Sequence, residues 1–122
     1  MPSSSINPPL LDPAAVEKLR KVAGDLDPGF VAEMAQLFMV ETGKSLIELK
    51  AACDRADAPM LMRLAHSLKS SAATLGLMKL ARACLILEMD TKDGETGPAT
   101  QALVTAVCDQ FEEAKPVLIQ LR

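Results

Sequence analysis

Aromatic side chains are almost absent from this 122-residue sequence, which has three Phe and neither Trp nor Tyr. β-Sandwiches and barrels are rich in aromatic and β-branched residues, so the composition disfavours both folds. It also disfavours a nucleic-acid platform on which bases stack against aromatic rings. The abundant Ala, Leu and Met instead favour a core of packed helices, in which Met fills irregular gaps.

Cysteine and histidine are scarce as well. Cys53, Cys84 and Cys108 are odd in number and widely spaced, and each lies within an apolar pattern. They indicate buried, reduced thiols rather than a disulfide framework. A single histidine and no paired cysteines leave too few ligands for structural zinc, so we expect no metal site.

Long apolar runs and export signals are missing too. No run approaches the roughly 18 apolar residues that cross a bilayer. The N-terminus lacks the basic and hydrophobic regions of a signal peptide. Without such segments we expect a soluble, cytoplasmic protein without a membrane partner, and we expect it to be a monomer. It has 13 basic and 16 acidic residues and a net charge of -3.

The chain divides into an arm and one domain. Residues 1–11 contain three Pro and three Ser and are predicted to form a flexible arm, from which Leu10 and Leu11 could dock on the core. Residues 12–122 have the length of a single domain and no internal repeat. We therefore expect one compact unit after the arm.

Helix-boundary signals predict one short helix followed by four longer ones. Asp12-Pro13 and Asp27-Pro28 each resemble an N-cap followed by the first helical residue, and Gly24 ends the first helix. The second helix has apolar positions at helical spacing, namely Phe30, Met34, Leu37, Phe38, Leu46 and Leu49. Short loops between these helices predict an all-α fold, an antiparallel up-down four-helix bundle with an additional short N-terminal helix.

The later boundaries follow from the same signals. Asp57, with Pro59 in the first turn, predicts a third helix that runs to about Leu75 and ends at Gly76. The fourth helix is predicted over about residues 77–92. A fifth helix starts at Gly97-Pro98, and Pro116 near its end should kink it or let it fray.

The third helix carries the only histidine of the chain. Leu61, Leu64, Leu68, Ala72 and Leu75 form its apolar stripe. At about 100° per residue, His66 lies at least about 120° from each of them and therefore points outward. Around His66, within about 60° on the helix surface, lie Met62, Arg63, Lys69, Ser70 and Ala73.

Acidic residues are missing from the whole stretch between Ala58 and Leu87, which has the four basic residues Arg63, Lys69, Lys79 and Arg82. An exposed imidazole beside cations suits phosphoryl transfer, because one ring nitrogen can attack while the cations screen the charge of the transferred group. The other ring nitrogen needs an acceptor. Glu88 on the fourth helix is a candidate for this acceptor, although it could equally be an ordinary surface carboxylate.

These residues resemble a histidine-containing phosphotransfer (HPt) domain. The resemblance rests on Ala65-His66-Ser67-Leu68-Lys69-Ser70-Ser71-Ala72, followed by Leu75-Gly76 and by Leu80, Cys84, Leu87 and Glu88. It covers residues 12–94 well and the last helix only by length and pattern. One position departs from the family, which commonly has Gly where this chain has Ser70.

The resemblance implies a phosphorelay function centred on His66. His66 would accept a phosphoryl group from a receiver-domain aspartate and pass it to another receiver. Lys69 would stabilise the phosphoryl group, and Glu88 would orient the imidazole. The chain would bind no cofactor and have no autokinase activity, since the Mg²⁺ belongs to the partner receiver domain. Partners would be receiver domains of response regulators or of a hybrid sensor kinase.

The surface around His66 is expected to bind the partner. Met62 and Arg63, with the small residues Ser70 and Ala73, would let an acidic receiver approach closely. Two alternatives stay open at this point. The first is a helical adaptor without phosphate chemistry. The second is a helix-turn-helix module around Gly76, which the few dispersed cations of an acidic chain disfavour.

Overall fold

A computed structural model describes residues 9–24 and 27–121 of the chain. Within those ranges the chain forms five helices and no strand. The helices are α1 (Pro13–Ala23), α2 (Phe30–Asp54), α3 (Ala58–Thr74), α4 (Met78–Asp90) and α5 (Thr100–Ile119). The predicted all-α fold is therefore confirmed.

Helices α2 to α5 form the bundle, and α1 packs against α2. Phe38 of α2 meets Phe111 of α5 edge-to-face at 6.3 Å, whereas Cys53 near the end of α2 meets Gln101 at the start of α5. These two contacts show that α2 and α5 run antiparallel. Each of α3 and α4 packs against its sequence neighbours, which is the predicted up-down order.

Two of the three predicted Asp N-caps are confirmed. Asp12 accepts a hydrogen bond from the Ala14 amide at 3.0 Å, and Asp57 accepts one from Met60 at 3.2 Å. The N-cap predicted at Asp27 is wrong, because Gly29 occupies that position and makes no side-chain cap. A turn at residues 28–29 separates Asp27 from the helix. The Phe30 amide donates to the backbone carbonyl of Asp27 and not to its side chain.

The loop between α4 and α5 is longer than predicted. The Thr100 hydroxyl donates to Asp90 Oδ2 at 2.7 Å and accepts from the Gly97 amide at 2.8 Å, so it joins both helix ends. Pro116 does not end α5, which continues to Ile119, so the predicted fraying is wrong, whereas the alternative of a kink stays a prediction. Leu118, which is 1% exposed, anchors this last turn in the core.

The buried face of α3 is shifted slightly from the predicted stripe. Its buried residues are Ala58, Leu61, Ala65, Leu68 and Ala72. Leu64 is only half-buried, and Ala65 takes its place at the centre of the face. Because the buried alanines of α3 are small, this face of the helix can pack closely against its neighbours. The opposite face of α3 stays at the surface.

The cysteines differ from one another in burial. Cys84 is fully buried, as predicted, whereas Cys53 and Cys108 are half-buried. All three are free thiols. None of the helices in the described ranges is both long and apolar enough to cross a membrane.

The N-terminal segment docks on the turn between α3 and α4. The Asp12 amide donates to Gly76 O at 2.7 Å, and the Lys79 amide donates to Pro9 O at 3.2 Å. Leu11 packs against the core, as expected, whereas residues 1–8 of the predicted arm lie outside the described residues. Gly76 has a φ of +80°, and a Cβ there would come within 2.7 Å of Asp12 O.

Replacing Gly76 with Ala should therefore destabilise the fold. We expect a loss of about 2 kcal/mol in the free energy of unfolding, since the left-handed backbone alone costs roughly 1–2 kcal/mol. Urea unfolding measures this loss. Gly43→Ala is the matched control, because a Cβ at Gly43, in the interior of α2, meets nothing within 4 Å. This substitution should raise the free energy of unfolding by about 0.5–1 kcal/mol. Equal effects of the two substitutions would contradict the role of Gly76.

Candidate functional site

The turn between α3 and α4 brings the site residues together. Gly76, in its left-handed conformation, ends α3 and returns the chain antiparallel to it. His66 lies 11 residues before Leu77 and Glu88 lies 11 residues after it, so the two side chains face each other across the hairpin. The register of one helix pair therefore sets the distance between imidazole and carboxylate.

Glu88 bridges the histidine and a lysine. His66 Nδ1 lies 2.8 Å from Glu88 Oε2, and Lys69 Nζ donates to Glu88 Oε1 at 2.7 Å. The His66 side chain is 62% exposed, whereas those of Glu88 and Lys69 are 20% and 28% exposed. The imidazole thus faces solvent, and the ion pair that supports it is mostly covered.

The charge on Glu88 fixes the tautomer of the imidazole. The hydrogen bond from Lys69, followed by the one from His66, lowers the pKa of Glu88 despite the opposing effect of burial. The side chain is therefore a carboxylate at neutral pH, and a carboxylate only accepts hydrogen bonds. Nδ1 must then carry the shared hydrogen, which leaves the lone pair of a neutral imidazole on Nε2.

Nε2 is free to react. It makes no hydrogen bond to any of the residues that the structure describes. Since Nδ1 faces α4, Nε2 on the other side of the ring faces away from α4 and toward solvent. The arrangement provides a nucleophilic nitrogen with a fixed tautomer, held on the outer face of a packed helix.

Cys84 lies one turn before Glu88, beneath the ion pair. Burial, followed by the nearby Glu88 charge, raises the pKa of Cys84 to about 12. The thiol is therefore neutral and does not act as a second nucleophile at the site.

The other predicted site residues surround the imidazole without bonding to it. Ser70 and Ala73 are exposed and small, and Met62 is half-buried. Arg63 is exposed, and its Nη2 lies 3.7 Å from Met60 Sδ. The structure thus unites His66, Lys69 and Glu88, and it places the remaining residues around them on one face.

Sequence reasoning missed a groove beside His66. The groove has a volume of about 390 Å³ between α2 and α3, and its wall includes Leu37, Glu41, Ser67 and Ser71. Leu37, one of the apolar positions at helical spacing in α2, is 61% exposed. The sequence of α2 did contain a signal for an exposed apolar surface, because its apolar residues are too numerous for one buried stripe. In the structure, Val40 and Ile47 are exposed as well.

Metal ligands do not cluster in the part of the chain that the structure describes. No group of three or more His, Cys, Asp or Glu side chains there could hold an ion.

The bundle and its solvent-facing histidine define the class of helical histidine phosphotransfer proteins. A family model described as "Hpt domain" matches residues 33–115, and the chain belongs to this family. Its function is therefore histidine phosphotransfer in a phosphorelay, and its partners are phosphorelay proteins such as receiver domains. The adaptor and helix-turn-helix alternatives are not favoured.

Solved structures agree with this assignment. Histidine-containing phosphotransfer protein B (HptB) from Pseudomonas aeruginosa PAO1 is 25% identical with a TM-score of 0.82, over 93% of this chain and 95% of that one. A histidine-containing phosphotransfer protein from rice is 21% identical with a TM-score of 0.77, over 97% and 85%, and shows the same fold. No match was found among curated protein sequences.

Replacing Glu88 with Gln tests the ion pair. We expect the free energy of unfolding to fall by about 1 kcal/mol at pH 7, because a mostly covered, hydrogen-bonded pair is worth more than an exposed one. Folding lowers the pKa of Glu88, so this contribution is present above the unfolded-state value of about 4.3 and is lost as the pH falls through the lowered folded-state value.

Urea unfolding at a series of pH values measures this difference between wild type and variant. Glu113→Gln, at an exposed position of α5, is the control and should have little effect at any pH. A difference between wild type and Glu88→Gln that stays constant down to about pH 3, below the ordinary carboxyl value, would contradict the assigned role.

Proposed function

We propose that Nε2 of His66 is the atom that carries the phosphoryl group. One observation supports this above all: Glu88 holds Nδ1 at 2.8 Å, so the remaining ring nitrogen faces solvent with its lone pair free. Its surroundings on α3 are small or basic, which suits the approach of an anionic group.

The proposed transfer forms one bond and breaks one. The Nε2 lone pair attacks the phosphorus of a receiver phosphoaspartate in line with its P–O bond to the aspartate. As the N–P bond forms, the P–O bond breaks and its electron pair returns to the aspartate carboxylate. The ring keeps its Nδ1 hydrogen and gains positive charge, which the Glu88 carboxylate compensates. The reverse sequence passes the group to another receiver.

Lys69 and Glu88 would then act as a pair. Lys69 Nζ, 2.7 Å from Glu88 Oε1, keeps the carboxylate ionised and in place. We propose that Glu88 orients the imidazole and that Lys69 stabilises the phosphoryl group through this contact.

The chain would supply a nucleophile and leave the rest of the machinery to its partner. The sequence has no Gly-rich phosphate loop and no kinase signature, so we propose that it does not phosphorylate itself from ATP. The Mg²⁺ that neutralises the transferred group would be held by acidic residues of the receiver.

Receiver docking would centre on the small residues next to His66. Ser70 and Ala73 leave room above the ring, and the adjoining groove exposes Leu37 as an apolar contact. Such docking should be transient, because the partner must leave after each transfer. We propose that the protein acts as a monomer in the cytoplasm, where its three free thiols stay reduced.

Incubation with a phosphorylated receiver should form phosphohistidine on the protein, with an N–P bond that is labile in acid and stable in base. His66→Gln should abolish this label, because it removes the attacking nitrogen at an exposed position where folding is unaffected. Labelling is followed with ³²P, and the fold with circular dichroism. A folded His66→Gln variant that still becomes labelled would refute the assignment of His66.

A bulky side chain at Ala73 should block the receiver but not the chemistry. We expect Ala73→Phe to slow transfer from a phosphorylated receiver by about tenfold or more, since an interface residue that clashes costs more than about 1.4 kcal/mol. Phosphoramidate is a small reagent that donates a phosphoryl group without docking as a receiver does. Labelling of Ala73→Phe by this reagent should be unchanged. Ala102→Phe, at an exposed position of α5, is the control and should transfer normally. Normal receiver transfer by Ala73→Phe would exclude docking over this face.

A further inference from the structure

Lys69 does not provide an uncompensated positive charge for the phosphoryl group. Its Nζ is bonded to Glu88 at 2.7 Å, so lysine and carboxylate cancel one another. A phosphoryl group on a side chain brings about 1.5 to 2 negative charges at neutral pH. If His66 carries that group, as proposed above, a second cation is needed on the exposed side of the ring.

Arg63 lies on that side. From His66, Arg63 and Lys69 are each displaced by about 60° around α3, in opposite directions. Lys69 is displaced toward α4, where it meets Glu88. Arg63 is therefore displaced away from α4, the direction in which Nε2 also faces.

Arg63 and His66 are three residues apart and are therefore neighbours on the surface of α3. Side chains of a helix lean toward its N-terminus, so the ring of His66 lies over the preceding turn, where Arg63 is located.

The guanidinium of Arg63 is available for a new ligand. Arg63 is exposed, and among the described residues its side chain makes a single, weak hydrogen bond, to Met60 Sδ at 3.7 Å. No carboxylate of the described residues lies within ion-pair distance of it. The planar fork of an arginine matches two oxygens of a phosphoryl group, which a lysine cannot do.

The two other cations of the basic stretch are farther away. Arg82 precedes Glu88 by six residues of α4, which is about 9 Å along the helix axis. Lys79 precedes it by nine residues, or about 13 Å. Glu88 lies opposite His66, so both cations are displaced from the imidazole toward the Gly76 turn.

We propose that Arg63 is the phosphoryl-binding cation of this protein: its guanidinium binds the non-bridging phosphoryl oxygens on His66 Nε2, and Lys69 serves mainly to hold Glu88. The assignment rests on the proposed function of His66. It predicts that Arg63 acts during the chemical step even without a receiver.

Phosphoramidate, a small donor that needs no docking surface, separates this role from partner binding. Arg63→Gln should slow labelling of His66 by about five- to tenfold, the effect of losing one charge-assisted contact to the transferred group. Arg63→Lys, which keeps the charge without the fork, should lie between wild type and Arg63→Gln. Arg82→Gln is the matched control and should label within about twofold of wild type, because removing an exposed charge at this distance has a small effect.

A second readout observes the phosphorylated state directly. A nearby guanidinium favours the dianionic phosphoryl group, so Arg63→Gln should raise the pH midpoint of its ³¹P chemical-shift titration, whereas Arg82→Gln should not. If Arg63→Gln is labelled at the wild-type rate and its ³¹P midpoint is unchanged, the proposal is overturned. Loss of labelling in His66→Gln at the same time would show that only the role of Arg63 has failed. Labelling of a folded His66→Gln would show instead that the function proposed for His66 has failed.

Discussion

The carboxylate of Glu88 is the contact on which the site depends. One oxygen holds His66 Nδ1 and the other holds Lys69, so a single side chain fixes the tautomer of the imidazole and compensates the lysine charge. This contact requires α3 and α4 to pair in one register, and Gly76 sets that register through a turn that no larger residue could make without strain. Local backbone conformation and site chemistry are thus directly linked.

The sequence predicted those features that need only one helix to be considered. Helical periodicity placed His66 outward, and Asp12 and Asp57 were recognised as caps from their own neighbours. Features that join two elements were harder to predict. For Glu88, the role of imidazole acceptor and that of an ordinary surface carboxylate were equal alternatives. The contact between Lys69 and Glu88 was not predicted, and nor was the exposure of Leu37. Register and helix rotation are set by packing, which a single chain pattern does not encode explicitly.

The structure separates rigidity from reactivity on opposite faces of α3. Ala65 and Ala72 are completely buried against neighbouring helices, and they hold the backbone beneath an imidazole that is 62% exposed. Such a design tolerates wide sequence change, since the core needs only apolar residues of suitable volume. The similarity to HptB, with a TM-score of 0.82 at 25% identity, is consistent with this tolerance.

Cys84 lies beneath the ion pair, completely buried and with its pKa raised to about 12. Peroxides and electrophiles attack the thiolate form of cysteine, and they need access to the sulfur. Neither condition is met at Cys84 in the folded protein. Oxidants that modify exposed thiols therefore leave the Cys84 sulfur, one turn before the carboxylate that holds the imidazole, in its reduced form.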